Sequence, residues 1–245
     1  MAEVRDHVLV GARIRPGDTV VLLGADDRRL AAEAARRAGP AGRVVAVDLP
    51  AHGPARPSVA DGAADVVVAR APVSHPTGLQ DAVGEAARVL RPGGRLSVSL
   101  PVHARRRYHV RLCGPVPAEL SALAARARAG AAEVFAPERL WAAAARTGLL
   151  AERAVVEDTV RRLRGQAEVE AHLRERDTGA LTLPEHATAA LGAGGARRYR
   201  DACHEAAARH GTIAYTTPVL YATFRRAGDG DADGAGAGVA GRLVH

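Results

Sequence analysis

Residues 85–101 read EAARVLRPGGRLSVSLP, and the rest of the chain is best read outward from them. The first part closes a helix, because Leu79, Val83, Ala86 and Leu90 fall on one face at helical spacing. Arg91-Pro92-Gly93-Gly94 ends it, since proline cannot continue a helix and glycine turns the chain. RLSVSL at 95–100 then predicts a strand. The same alternation runs upstream. TVVLLG (19–24) follows the turn Pro16-Gly17-Asp18 as an unbroken apolar run, the pattern of a strand buried on both faces. A helix is predicted from Arg28 to Ala38, with Asp26 or Asp27 as N-cap and Gly39-Pro40 as stop. RVVAVD (43–48) and DVVVA (65–69) are further strands. Strands alternating with helices predict an α/β fold with a mostly parallel sheet.

The chain has 245 residues, 47% of them hydrophobic, which is enough for a large core and excludes wholesale disorder. No apolar run is long enough to span a membrane, and the first thirty residues show no secretory pattern, so a cytoplasmic location is expected. Two cysteines, Cys113 and Cys203, do not make a disulfide framework. The 34 basic residues give a net charge of +7, yet all of them are Arg and they are interspersed with Glu and Asp. That pattern argues for codon bias and against a nucleic-acid partner. Every Tyr, Phe and Trp lies beyond residue 107, so the first part must pack with Val, Leu and Ala.

Downstream, a helix is predicted over 137–147, opened by Pro137 and closed by Gly148, then a strand near 150–156. A charged helical stretch over 158–176 and a helix around 195–209 follow. The last strand, 212–226, contains Pro218, which suggests a bulge or an edge position. Residues 227–245 are Gly, Ala and Asp in low complexity and are expected to be a disordered tail.

The order RPGDTVVLLG, GRVVAVDLP, DGAADVVVAR, EAARVLRPGGRLSVSLP resembles the class I S-adenosylmethionine (SAM) dependent methyltransferases, especially the small-molecule enzymes of bacterial secondary metabolism. FAPERLWAAAARTGLLAE and TPVLYATFRR are similar to the later helix and strand pair of that family, so the likeness spans residues 8–226. The resemblance implies a Rossmann-like sheet with an antiparallel last strand, and a helical cap over the pocket. It divides the chain into a core at 1–101, a cap segment at 102–135, core helix and strand at 136–157, a cap insertion at 158–210, the last core strand at 211–226, and the tail. Substrate would lie between cap and strand ends, where open α/β sheets place ligands.

Two departures bear on function. The family's first strand ends in an acidic residue followed by three glycines at alternate positions. Here the acidic position is Leu22, and of the glycines only Gly24 remains; Asp26 and Arg28 occupy the other two places. Glycine there permits positive φ and lets the backbone touch the ligand, so side chains at 26 and 28 fill the space of the amino-acid end of SAM. Asp48 keeps the place of the family's ribose-binding acid. Only residues 49–60 then separate it from Asp61, and Pro50, Gly53, Pro54 and Pro57 exclude a helix there. One edge strand and its helix, with the residue that reads adenine, are expected to be missing.

Candidate site residues follow. His75 lies after the fourth strand of the resemblance, where substrate-facing groups often sit, and could serve as general acid or base near neutral pH. Tyr108 and His109 are placed to bind or protonate a substrate. Around them, His103, Arg107 and Trp141 are candidate substrate contacts, with the arginine suited to a carboxylate or phosphate. Gly24, Asp48 and Asp61 would hold SAM if it binds. Cys203, His204 and His210 do not supply a metal set, and no metal is expected.

The expected function is a methyltransferase-fold protein of natural-product biosynthesis that binds a small-molecule intermediate without SAM and promotes a cyclisation, isomerisation or elimination. The alternatives are a SAM-dependent small-molecule methyltransferase with a remodelled cofactor site, and a non-catalytic partner of an active relative. Either a homodimer or pairing with a related subunit through the uncovered sheet edge fits this pattern.

Overall fold

A computed structural model describes residues 2–24, 28–47, 59–70, 76–102, 105, 107–108, 122–123, 137–174 and 183–228. The elements are α1 (Ala2–Ala12), β1 (Thr19–Leu23), α2 (Arg28–Ala38), β2 (Arg43–Val47), β3 (Ala64–Arg70), α3 (Pro76–Val89) and β4 (Leu90–Pro101). They continue with β5 (Arg107–Tyr108), α4 (Pro137–Arg146), β6 (Leu149–Arg164), α5 (Gly165–Arg174), α6 (Leu183–His210) and β7 (Thr212–Arg226). The chain forms two compact units: 1–100 with 137–157 and 219–245, and 101–136 with 158–218.

In the first unit the strand order is β2-β1-β3-β4-β7, with β6 on the far side of β7. The sheet is parallel from β2 to β4 and antiparallel at its other end. This is the Rossmann-like methyltransferase architecture. Among the described residues β2 pairs only with β1; residues 48–58, on which the expected loss of an edge strand turns, lie outside them. Valines and leucines of β1 and β3 are fully buried, as a strand covered on both faces requires. By contrast Arg43 and Ala46 of β2 are exposed.

Helix α1 is absent from the sequence reading. Val8, Leu9 and Ala12 bury against Val20, Leu22, Leu30, Val66 and Val68, covering one face of β1 and β3. The Ser97 hydroxyl donates to the Val8 carbonyl at 2.7 Å, tying the same helix to β4. On the helix α3–α4 side, α3 packs beside α4, and Trp141 of α4 meets Phe224 of β7 with ring centroids 5.1 Å apart.

The turn Arg91-Pro92-Gly93-Gly94 is a register break in a continuous pairing. Ala64 pairs with Leu90 and Val66 with Arg95, so residues 91–94 loop out opposite the single residue Asp65. Asp65 uses the space: its carboxylate accepts the Thr19 N–H at 2.8 Å and the Arg91 guanidinium. Strand β4 thus starts at Leu90, five residues earlier than the apolar pattern predicts.

In the second unit two expectations are corrected. The charged stretch 158–176 is not one helix: 158–164 continues β6, and only Gly165–Arg174 is helical. Burial over 159–164 alternates, with Leu163 buried and Arg162 and Arg164 exposed, so pairing with β7 outweighs the helical propensity of the arginines. Gly165, at φ 66°, ends the strand and donates to the Gly211 carbonyl at 3.1 Å. The second correction concerns Pro218. Strand β7 is unbroken and interior, flanked by β4 and β6. Pro218 accepts the Val102 N–H at 2.8 Å, just past the end of β4, so its missing donor falls where that ladder finishes. Helix α6 starts twelve residues before the predicted 195 and is broken at Gly192 (φ 71°). It packs on α5 around Val169, Leu173, Tyr199, Cys203 and Ala206.

Asp26, Asp27, Asp48, the Pro-rich residues 49–58 and the tail from 229 lie outside the described residues. Among the described residues no helix is long and apolar enough to cross a membrane.

Candidate functional site

The carboxyl ends of β1 and β2 meet at Gly24. Leu23 pairs with Val47, and the next amide, Gly24 N–H, donates to the Val47 carbonyl at 3.0 Å. Gly24 has φ 67°, a left-handed conformation costly for a side-chain-bearing residue, and this explains why glycine stands there. The strand thus ends in a sharp turn of the kind that brings backbone close to a ligand.

Leu22, at the place of the family's acid, is 0% exposed. Its side chain belongs to the apolar cluster under α1, between Leu9, Leu30 and Val68. Arg28, at the place of the third glycine, opens α2 and is exposed. Among the described residues no carboxylate stands at the end of β1.

Asp61 is not near Gly24. It precedes β3, whereas Gly24 follows β1, and the two strands are parallel with Val20 opposite Val66. The two residues therefore sit at opposite ends of the sheet. Asp61 pairs with Arg88, which also holds Glu85 and donates to the Val59 carbonyl at 3.0 Å. These carboxylates raise the Arg88 pKa further, making the cluster a permanent clasp between α3 and the entry to β3.

Of the candidate substrate contacts, Arg107 pairs with Asp158 at 2.7 Å, and Trp141 lies against Phe224. Tyr108 is in β5 opposite Tyr215. His75, His103 and His109 lie outside the described residues.

The cysteine and histidines of α6 separate onto different surroundings. Cys203 faces the core, while His204 reaches Glu170 on α5 at 2.7 Å. Among the described residues no three His, Cys, Asp or Glu side chains converge as a metal set. Burial pushes the Cys203 thiol up to about 12. Alkylation of Cys203 by iodoacetamide at pH 8 is therefore expected to be at least about a hundredfold slower in the folded protein than in urea, followed by peptide mass mapping. Equal rates would place this thiol at the surface. Nearby, the buried Tyr215 hydroxyl and His172 Nδ1 are 3.2 Å apart with their rings stacked at 4.7 Å, a polar contact that the sequence did not signal.

A family model described as a methyltransferase domain matches residues 21–98, the stretch from β1 into β4. That match spans less than half of the chain, so the likeness to methyltransferases is one of sequence over residues 21–98. Among solved structures, a Bacillus halodurans protein assigned as a methyltransferase is 13% identical, with a TM-score of 0.50 over 91% of this chain and 98% of its own. A Galdieria sulphuraria protein assigned as a sarcosine dimethylglycine methyltransferase is 11% identical, with a TM-score of 0.46 over 92% and 84%. Geranyl diphosphate C-methyltransferase from Streptomyces coelicolor, solved with Mg2+, geranyl diphosphate and S-adenosyl-L-homocysteine, is 14% identical, with a TM-score of 0.41 over 92% and 80%. Among curated proteins none matches in sequence. The family match ends inside β4, and beyond it the likeness is one of fold.

Proposed function

We propose that this protein acts on a small molecule in natural-product biosynthesis without SAM in the usual methyltransferase pose, and that it steers a cyclisation, isomerisation or elimination. The observation that supports this reading is Leu22. A polar ligand end at the close of β1 needs a carboxylate or open backbone, and this position instead supplies a fully buried alkyl group packed under α1. Arg28 adds a long charged side chain where the family has bare backbone. Leu22 and Arg28 weigh against the family's cofactor cradle, whereas Gly24 retains its turn.

The chemistry this reading needs is modest. A shaped site that orients an intermediate and excludes water, with one or two groups that move a proton, suffices for a cyclisation or elimination. His75, His109 and Tyr108 are the proposed proton-transfer groups, with His103, Arg107 and Trp141 as substrate contacts. Arg107 would have to exchange its bond with Asp158 for one with the substrate.

The second reading is SAM-dependent methyl transfer to a small molecule. The family match over 21–98 and the left-handed Gly24 favour it. Gly24 and Asp48 would then hold the cofactor, and Asp61, at the other end of the sheet, would not. A third role, pairing with a second copy or a related subunit, draws support from β2, which among the described residues pairs only with β1 and exposes Arg43 and Ala46. Calorimetric titration with SAM and with its demethylated product decides between the first two. No binding at micromolar concentration is expected for either compound. Micromolar binding of one of them establishes the methyl-transfer reading instead.

A further inference from the structure

A cleft of about 250 Å³ lies in the first unit, on the flank of the sheet beside α1. Its location separates it from the strand-end site at Gly24. Its floor is the pair of hydroxyls Ser97 of β4 and Thr223 of β7, and Ser97 is mid-strand, not at the carboxyl rim. Gly11 keeps that floor open, because a Cβ there would stand 2.8 Å from both hydroxyl oxygens.

The walls carry opposite charges at their two ends. Arg153 and Glu157 lie four residues apart on β6, on the same face of the strand, with Val155 between them. At about 3.3 Å per residue their backbones are roughly 13 Å apart. Arg153 makes no hydrogen bond or ion pair with any described residue, so its guanidinium is available to a carboxylate. At the other end Glu157 lies 3.1 Å from His7 Nε2, and the His7 ring rests against Tyr221 at 5.1 Å. The carboxylate is thus held in place with a further lone pair free for a second donor.

We propose that this cleft is a second small-molecule site, one that takes a compact zwitterion with its charges several bonds apart, an ω-amino carboxylate or a short peptide. The ligand's carboxylate binds Arg153, its ammonium binds Glu157, and its chain lies along Val155 over the two hydroxyls. An α-amino acid is too short to reach both ends. A nucleotide is too large, since the volume is below the range of about 300–1,000 Å³ typical of drug-sized ligands.

The test uses the full chain and 6-aminohexanoate, with hexanoate and hexylamine as single-charge controls, measured by calorimetry. The zwitterion is expected to bind at least about tenfold more tightly than either control. Arg153→Gln should weaken 6-aminohexanoate and hexanoate by about fivefold or more and leave hexylamine unchanged, whereas Glu157→Gln should do the reverse. Both side chains are at the surface or half-buried, so unchanged thermal unfolding of the variants is expected and is checked first. The proposal is overturned by any of three results: no saturable binding up to about 10 mM, equal affinity for all three compounds, or variants that bind as the parent does.

Discussion

Leu22→Asp, which restores the residue type the family carries at the end of its first strand, is expected to cost at least about 4 kcal/mol and not to create SAM binding. Leu22 has no exposed surface, and it sits in a ladder with Ala46 on one side and Val68 on the other. Truncating a buried leucine alone costs about 2–5 kcal/mol, and an unpaired carboxylate adds the penalty of leaving water. Total stabilities of about 5–15 kcal/mol leave little margin. Leu22→Asn has the same shape without the charge and separates the two contributions. Burial raises the pKa of the introduced carboxyl above its unfolded value, so the folded state binds the proton more tightly. The Asp variant should therefore gain stability on the Asn variant as pH falls from 7 toward 4, read from urea unfolding at each pH. A loss under about 1 kcal/mol, together with newly acquired SAM binding, would show that this position opens onto a cofactor pocket.

That experiment bears on how far the sequence could be read. The alternation of apolar runs with RPGD, GPAG and RPGG turns located β1, α2, β2, β3 and the inner part of β4, and it reads most clearly in β1 and β3, which are covered on both faces and need no polar alternation. The expectation that an edge strand is missing turns on the link after Val47, and residues 48–58 lie outside the described residues. Helix α1 escaped because, among its described side chains, only Val8, Leu9 and Ala12 are buried, too brief a stripe to stand out. The outer half of β6 escaped for the opposite reason. Arginines and acids crowd both faces of 157–164, and only its pairing with β7 makes it a strand.

Residue type suggested the candidate site, but placement depends on register that residue type does not carry. Asp61 looked like a cofactor contact by its position in the resemblance, yet parallel register sends it to the far end of the sheet, where Arg88 holds it. Arg107 is suited by type to a substrate carboxylate or phosphate, yet it is held by Asp158, 51 residues away in sequence. The cleft beside α1 draws on four elements, and His7, Arg153 and Glu157 share no local motif that could have announced it. Side chains gathered by sheet register across 150 residues carry no spacing signal.

The two glycines of the RPGG turn make a sharper test of the same logic, because they stand side by side for different reasons. Gly93 has φ 75° and an added Cβ would meet nothing within 4 Å, so Gly93→Ala incurs only the left-handed backbone cost of about 1–2 kcal/mol. At Gly94 the obstacle is space. A Cβ there would lie 2.9 Å from the Arg91 carbonyl oxygen, 3.0 Å from the Asp65 carbonyl oxygen and 3.0 Å from a Leu90 methyl. Two of those atoms are backbone and cannot swing aside. Moving Asp65 also disturbs its carboxylate bond to the Thr19 amide at the start of β1, so the strain passes through β4 and β3 to the centre of the sheet. Gly94→Ala is accordingly expected to cost about 2–3 kcal/mol, more than its neighbour, in chemical denaturation with unchanged slope. The reverse order, or two equal losses, would mean that the four looped residues 91–94 are free to shift and that the register break does not anchor β4 against β3.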